Sequence, residues 1–257
     1  MNRNFIDLWD ITPEEGWKIL EDTARIKAGW DKEKHLLGKN IALLFTKPST
    51  RTRVSFEVAI RDLGGNALFL QEQSLQITRG EDLRDTARTL SRYLDGVIIR
   101  TDSHKKLEEF ASYSSIPVIN ALTDMSHPCQ LLGDVFTLYE VFGEDIRKIN
   151  IAYVGDGNNV CNTWLVAAGL FGLNLFVSTP EGYEPSSYYY QAGQDLCKIT
   201  GGSIYMTTNP IEAVKSAHVV YTDVWFSMNH DRTQEKLEAL KPYQVNKRLL
   251  SYARPDV

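Results

Sequence analysis

Along the chain, short apolar runs alternate with stretches whose apolar positions recur every three or four residues, as parallel strand–helix–strand units require. Runs bounded by Gly, Pro, Asn or charged residues predict eight strands, at Ile41–Phe45, Ala67–Leu70, Gly96–Arg100, Pro117–Asn120, Asn150–Gly155, Asn174–Thr179, Ser203–Thr207 and Val219–Thr222. Helical spacing is longest from Pro128 to Phe142, where Leu131, Leu132, Val135, Leu138, Tyr139 and Phe142 share one face and Gly143 ends the pattern. Thr12-Pro13-Glu14-Glu15 has the form of a capping box opening another helix. Phe56, Ala59, Ile60 and Leu63 mark a third, stopped by Gly64-Gly65, and Ser186-Ser187-Tyr188-Tyr189-Tyr190 reads as a further helix start. The expected architecture is α/β, with two domains, residues 1–135 and 136–257. Each is a parallel sheet flanked by helices, and the long Pro128–Phe142 helix joins them.

Composition narrows the function classes. With 28 Lys+Arg against 33 Asp+Glu in 257 residues, the formal net charge is −5, so no global positive field recruits nucleic acid or an anionic membrane. Any anion must be held locally. No run approaches the roughly 20 apolar residues of a membrane span, and Met1-Asn2-Arg3-Asn4-Phe5 lacks the apolar core of a signal peptide. Cys129, Cys161 and Cys197 are too scattered for a disulfide framework or a zinc site, which makes a reducing cytoplasm the expected setting. His35, His104, His127, His218 and His230 have no close-spaced partners, and neither a metal nor a cofactor is expected.

Four segments carry chemistry. In the first, Ser49-Thr50-Arg51-Thr52-Arg53 lies between an apolar strand and a helix, placing hydroxyls and guanidiniums at a helix amino terminus. Unpaired backbone N–H groups and the positive end of the helix dipole favour an anion there, and the arginine fork suits phosphate. A Ser/Thr cap beside two solvated arginines is the plainer alternative. The second is Arg100, ending its strand, together with His127-Pro128-Cys129-Gln130 at the start of the long helix. In a parallel sheet, strand carboxyl ends and the following helix amino ends share one edge, so these residues can converge with the first segment.

The third segment, Gly155-Asp156-Gly157-Asn158-Asn159-Val160, matches two glycines of a dinucleotide fingerprint. Val160 stands at the third, and no acidic residue ends the next strand, so a nicotinamide cofactor is not expected. The paired amides suit a small zwitterion, or simply a tight turn. In the fourth, Tyr221-Thr222-Asp223-Val224-Trp225-Phe226-Ser227-Met228-Asn229, Asp223 can meet an ammonium and Ser227 a carboxylate, unless the segment is a surface loop packed by Trp225.

Taken in order, these segments resemble the aspartate/ornithine carbamoyltransferase family, as do Gln76 to Glu81 and Asp85-Thr86-Ala87-Arg88. The resemblance implies a carbamoyl phosphate domain followed by an amino-acid domain, with the site between them. Ser49, Thr50, Arg51 and Thr52 would hold the phosphate, and Arg100, His127 and Gln130 the carbamoyl group. Arg51, Thr52, Arg100 and His127 would be the catalytic set. Asn159, Asp223, Ser227 and Met228 would bind L-ornithine, and Gln76 would complete a neighbouring site in a homotrimer. The expected reaction carries the carbamoyl group of carbamoyl phosphate to the side-chain amine of L-ornithine, giving citrulline. Asn229 replaces the family's usual Gly after Met, which leaves putrescine or N-acetylornithine open as acceptors. The sequence ends at Val257, before the family's His-Cys-Leu-Pro motif, so the second domain is expected to be truncated and a carbamoyl phosphate-binding fragment without turnover is the other alternative.

Overall fold

The computed structural model describes residues 3–76, 80–226 and 232–257. Ten α-helices and eight strands run through them. The contact pattern divides the chain into one unit of residues 1–10 and 22–130, and another of 11–21 and 131–257.

In the first unit, β1 (Asn40–Phe45), β2 (Asn66–Gln71), β3 (Gly96–Arg100) and β4 (Val118–Leu122) form an all-parallel sheet in the order β2-β1-β3-β4. Side chains of successive strand residues point to opposite faces. Ala42 and Leu44 therefore face α3 (Leu83–Leu90) and α4 (His104–Tyr113), joining Ala87, Leu107 and Phe110 in one core. Leu43 and Phe45 meet Ile60 of α2 (Thr50–Asp62) on the other face. The backbone of Phe5 bonds to both Val118 and Asn120, capping the outer edge of β4.

The second unit repeats the plan. β5 (Asn150–Val154), β6 (Asn174–Ser178), β7 (Ser203–Thr207) and β8 (Val219–Tyr221) are parallel in the order β7-β6-β5-β8. One face carries α6 (Asn159–Phe171) and α7 (Ser187–Thr200). These helices approach closely enough that a Cβ on Gly193 would sit 2.4 Å from the Leu165 carbonyl oxygen. The other carries α8 (Pro210–Val214) and α10 (Lys247–Leu250), with Val214, Tyr243 and Leu249 against Ala152 and Val154, and α9 (Gln234–Leu240) lies between β8 and α10 in the chain.

Helix α1 (Pro13–Lys27) opens with the expected capping box. The Thr12 N–H donates to the Glu15 carboxylate at 2.8 Å and the Glu15 N–H to the Thr12 hydroxyl at 3.3 Å. Its first half belongs to the second unit, where Trp17 meets Phe171 edge-on. Helix α5 spans Pro128–Phe142 as the spacing predicts, beginning in the first unit and continuing in the second from Leu131. All eight expected strands form, with ends that differ by at most two residues. Among the described residues no helix is long and apolar enough to cross a membrane.

Candidate functional site

A parallel sheet whose connections run outward from its middle has a crevice where they diverge, beyond the carboxyl ends of two adjacent strands. In the first sheet those strands are β1 and β3, because the chain moves from β1 outward to β2 and then returns to the other side of β1. Phe45 and Arg100 are paired residues at their ends, and Thr46 N–H donates to the Arg100 carbonyl at 2.9 Å. Helix α2 starts from this point with Ser49 as its N-cap residue. The Ser49 side chain makes no capping hydrogen bond to the helix.

Arg100 reaches across the crevice: its Nη1 donates to Thr52 Oγ1 at 3.2 Å, joining the first two predicted segments. Its side chain is nearly covered, and burial, followed by the charge of Arg51, lowers its pKa. A guanidinium remains charged under such pressure, so two positive groups lie near each other at this edge. His127 is buried too, and burial with the nearby Arg100 charge pushes its pKa down to about 3. It is therefore a neutral imidazole at neutral pH, able to donate one hydrogen bond but unable to act as an imidazolium acid. Gln130, three residues into α5, is half-buried.

The two arginines of the first motif differ. Arg53 is engaged by Glu57 at 2.8 Å and lies 3.7 Å over the Phe69 ring, whereas Arg51 is exposed in the first turn of α2. Cys129 donates its thiol to the Asn120 carbonyl, and burial drives its pKa up to about 12. It offers no thiolate nucleophile at neutral pH. Gln76 is exposed.

In the second sheet the equivalent crevice lies beyond β5 and β8. Here Asn158 caps α6, its Oδ1 accepting from Val160 N–H at 2.9 Å and Cys161 N–H at 3.1 Å. Its Nδ2 donates to Asp223 Oδ2 at 2.8 Å, so the third and fourth predicted segments also meet. Asn159 is buried beside it. A Cβ on Gly157 would lie 2.3 Å from the backbone of Glu184 and Pro185, and the Gly157 N–H donates to the Tyr183 carbonyl at 2.9 Å. Close backbone packing accounts for this second glycine. Ser227, Met228 and Asn229 lie outside the described residues.

Two further residues complete this turn. Asp156 accepts from Lys236 Nζ at 2.7 Å, both nearly covered, and the Tyr153 hydroxyl donates to the Asp156 carbonyl at 2.7 Å. Sequence reasoning passed over Lys236 because Gln234–Leu240 reads as an ordinary charged helix and its partner is eighty positions away. Among the described residues no group of three or more His, Cys, Asp or Glu is placed to hold a metal ion.

Residues 3–140 match the family described as aspartate/ornithine carbamoyltransferase, carbamoyl-P binding domain, and residues 147–257 match its Asp/Orn binding domain. An ornithine carbamoyltransferase of Aquifex aeolicus is 62% identical over 258 residues, covering 100% of this chain and 84% of the relative. The solved structure of the Pyrococcus furiosus ornithine carbamoyltransferase superposes with a TM-score of 0.93 at 45% identity, covering 99% of this chain and 82% of that one. The anabolic ornithine carbamoyltransferase of Campylobacter jejuni gives 0.92 at 37% identity, covering 100% and 84%.

Proposed function

The chain belongs to the aspartate/ornithine carbamoyltransferase family, and we propose that its two sheet crevices divide the two substrates of one reaction between them. That reaction is transfer of the carbamoyl group of carbamoyl phosphate to the side-chain amine of L-ornithine, giving L-citrulline and phosphate. The observation that carries the assignment is the Arg100–Thr52 hydrogen bond, which joins a buried guanidinium to the amino terminus of α2.

In this reading Ser49, Thr50, Arg51 and Thr52 hold the phosphate, and Arg100, His127 and Gln130 hold the carbamoyl group. Attack by an uncharged amine on the carbonyl carbon forms a tetrahedral centre with charge on its oxygen, which Thr52, Arg100 and the neutral His127 stabilise as hydrogen-bond donors. Collapse expels phosphate, whose charge the helix amino terminus and Arg51 match. Burial and the Arg100 charge make the neutral His127 imidazole a weak base, so phosphate itself is the acceptor for the amine proton. Asp223, oriented by Asn158, takes the ammonium of the amino acid, with Asn159, Ser227 and Met228 completing the acceptor site.

Gln76 completes the site of a neighbouring copy in a homotrimer, a reading supported by its exposure on the first unit. The three thiols, all unpaired, support a reducing cytoplasmic setting. Citrulline formation from carbamoyl phosphate and ornithine, run beside putrescine, aspartate and N-acetylornithine, tests the function. Preferential turnover of ornithine is the expected result, and preference for another amine would overturn the acceptor assignment. Sedimentation of the purified chain tests the trimer.

A further inference from the structure

We propose that Lys236 is a positioning residue for ornithine, acting through Asp156 on the turn that orients Asp223. The inference rests on the assignment of Asp223 to the amino acid. Lys236 lies on α9, with its side chain 7% exposed and that of Asp156 5% exposed. Taking an ammonium and a carboxylate out of water is costly, and the loss is offset only by close pairing. The pair meets that condition at 2.7 Å, with the Tyr183 ring a further 5.4 Å from Nζ.

The position of Asp156 gives the pair its consequence. Gly155 and Gly157 flank it, the first at a φ of +146°, so the turn has little side-chain packing of its own to define its shape. It is defined from outside. Lys236 holds the Asp156 carboxylate, and the Tyr153 hydroxyl holds the Asp156 carbonyl while approaching Asn158 Oδ1 at 3.3 Å. Asn158 then passes the constraint to Asp223 through its Nδ2. A cavity of about 420 Å³ beside the pair, lined by Tyr183, Glu184 and Thr233 among others, gives the turn room to shift once the lysine is removed.

The test is steady-state kinetics of Lys236→Met, Lys236→Arg and Asp223→Asn in the full chain. Lys236→Met is expected to raise the KM for ornithine about tenfold while the KM for carbamoyl phosphate stays within about twofold, and Lys236→Arg to recover most of the loss. An unchanged ornithine KM, or a parallel rise in both KM values, would overturn the proposal. Should Lys236→Met not fold, Asp156→Asn, which keeps a hydrogen bond to the ammonium, must show the same split at smaller size. If Asp223→Asn raises the ornithine KM and Lys236→Met does not, Lys236 alone loses its role; if Asp223→Asn has no effect, the Asp223 assignment falls and this inference with it.

Discussion

The two strand–turn–helix junctions, β1 to α2 and β5 to α6, each follow the first strand of a four-stranded parallel sheet at the point where its connections diverge, yet they are built in opposite ways. Every residue of α6 is buried, and its capping side chain is committed to two backbone N–H groups and a carboxylate. Only Ile60 of α2 is buried, and the Ser49 side chain makes no capping bond. One junction is closed by its own hydrogen bonds, while the other presents donors and positive charge to whatever arrives. The difference follows the chemistry proposed for each. A phosphate brings charge enough to organise exposed donors, whereas a flexible amino acid is better served by a carboxylate already fixed in direction.

The contrast breaks most visibly at Arg100. Arg100→Ala should lower kcat by about 100-fold or more, because it removes the donor proposed for the developing oxyanion, and turnover near that of the parent would refute the role. Gly157→Ala tests the closed junction by forcing a methyl group into the backbone at Glu184 and Pro185, with an expected loss of about 2 kcal/mol or more in urea unfolding. The caps supply a matched pair. Asn158→Ala should cost about 1 kcal/mol of stability, whereas Ser49→Ala should change stability by less than about 0.5 kcal/mol yet weaken carbamoyl phosphate binding. Equal losses of stability in both would erase the comparison.

The last test concerns pH. His127 stays neutral in the folded protein down to about 3, while in the unfolded chain it takes up a proton below about 6.5. Over that window the unfolded state binds more protons, so the contribution of His127 to stability is present above it and is lost as pH falls through it. His127→Asn should therefore make the acid-side decline in unfolding midpoint shallower, leaving the parts due to His104, whose pKa burial also lowers, and to paired carboxylates such as Asp82, held low by its hydrogen bonds to Arg84.

What the sequence made legible was local. Alternation and turn residues located the strands, and the Thr12–Glu15 box located a helix start, because each depends on neighbours within a few positions. Arg100 and Thr52 were placed together by a topological argument, since strand ends and helix starts share an edge in any parallel sheet. Lys236 and the Tyr153 hydroxyl escaped because their partners are set by packing: a tyrosine inside an apolar strand and a lysine in a charged helix carry no local sign of the turn they support. Asn158 was legible as part of a turn but not as the partner of Asp223, sixty-five positions away.

The divided helix α1 bears on how the chain is made. Trp17 is synthesised about 150 positions before Phe171, the ring it meets edge-on. At typical synthesis rates of about 5–20 residues per second, that interval is of the order of ten seconds, during which an apolar helix face waits without its destination. It also means that expressing residues 131–257 alone would omit a structural part of the second unit, namely residues 11–21. A fragment meant to isolate the amino-acid half must supply that segment, fused or added in trans.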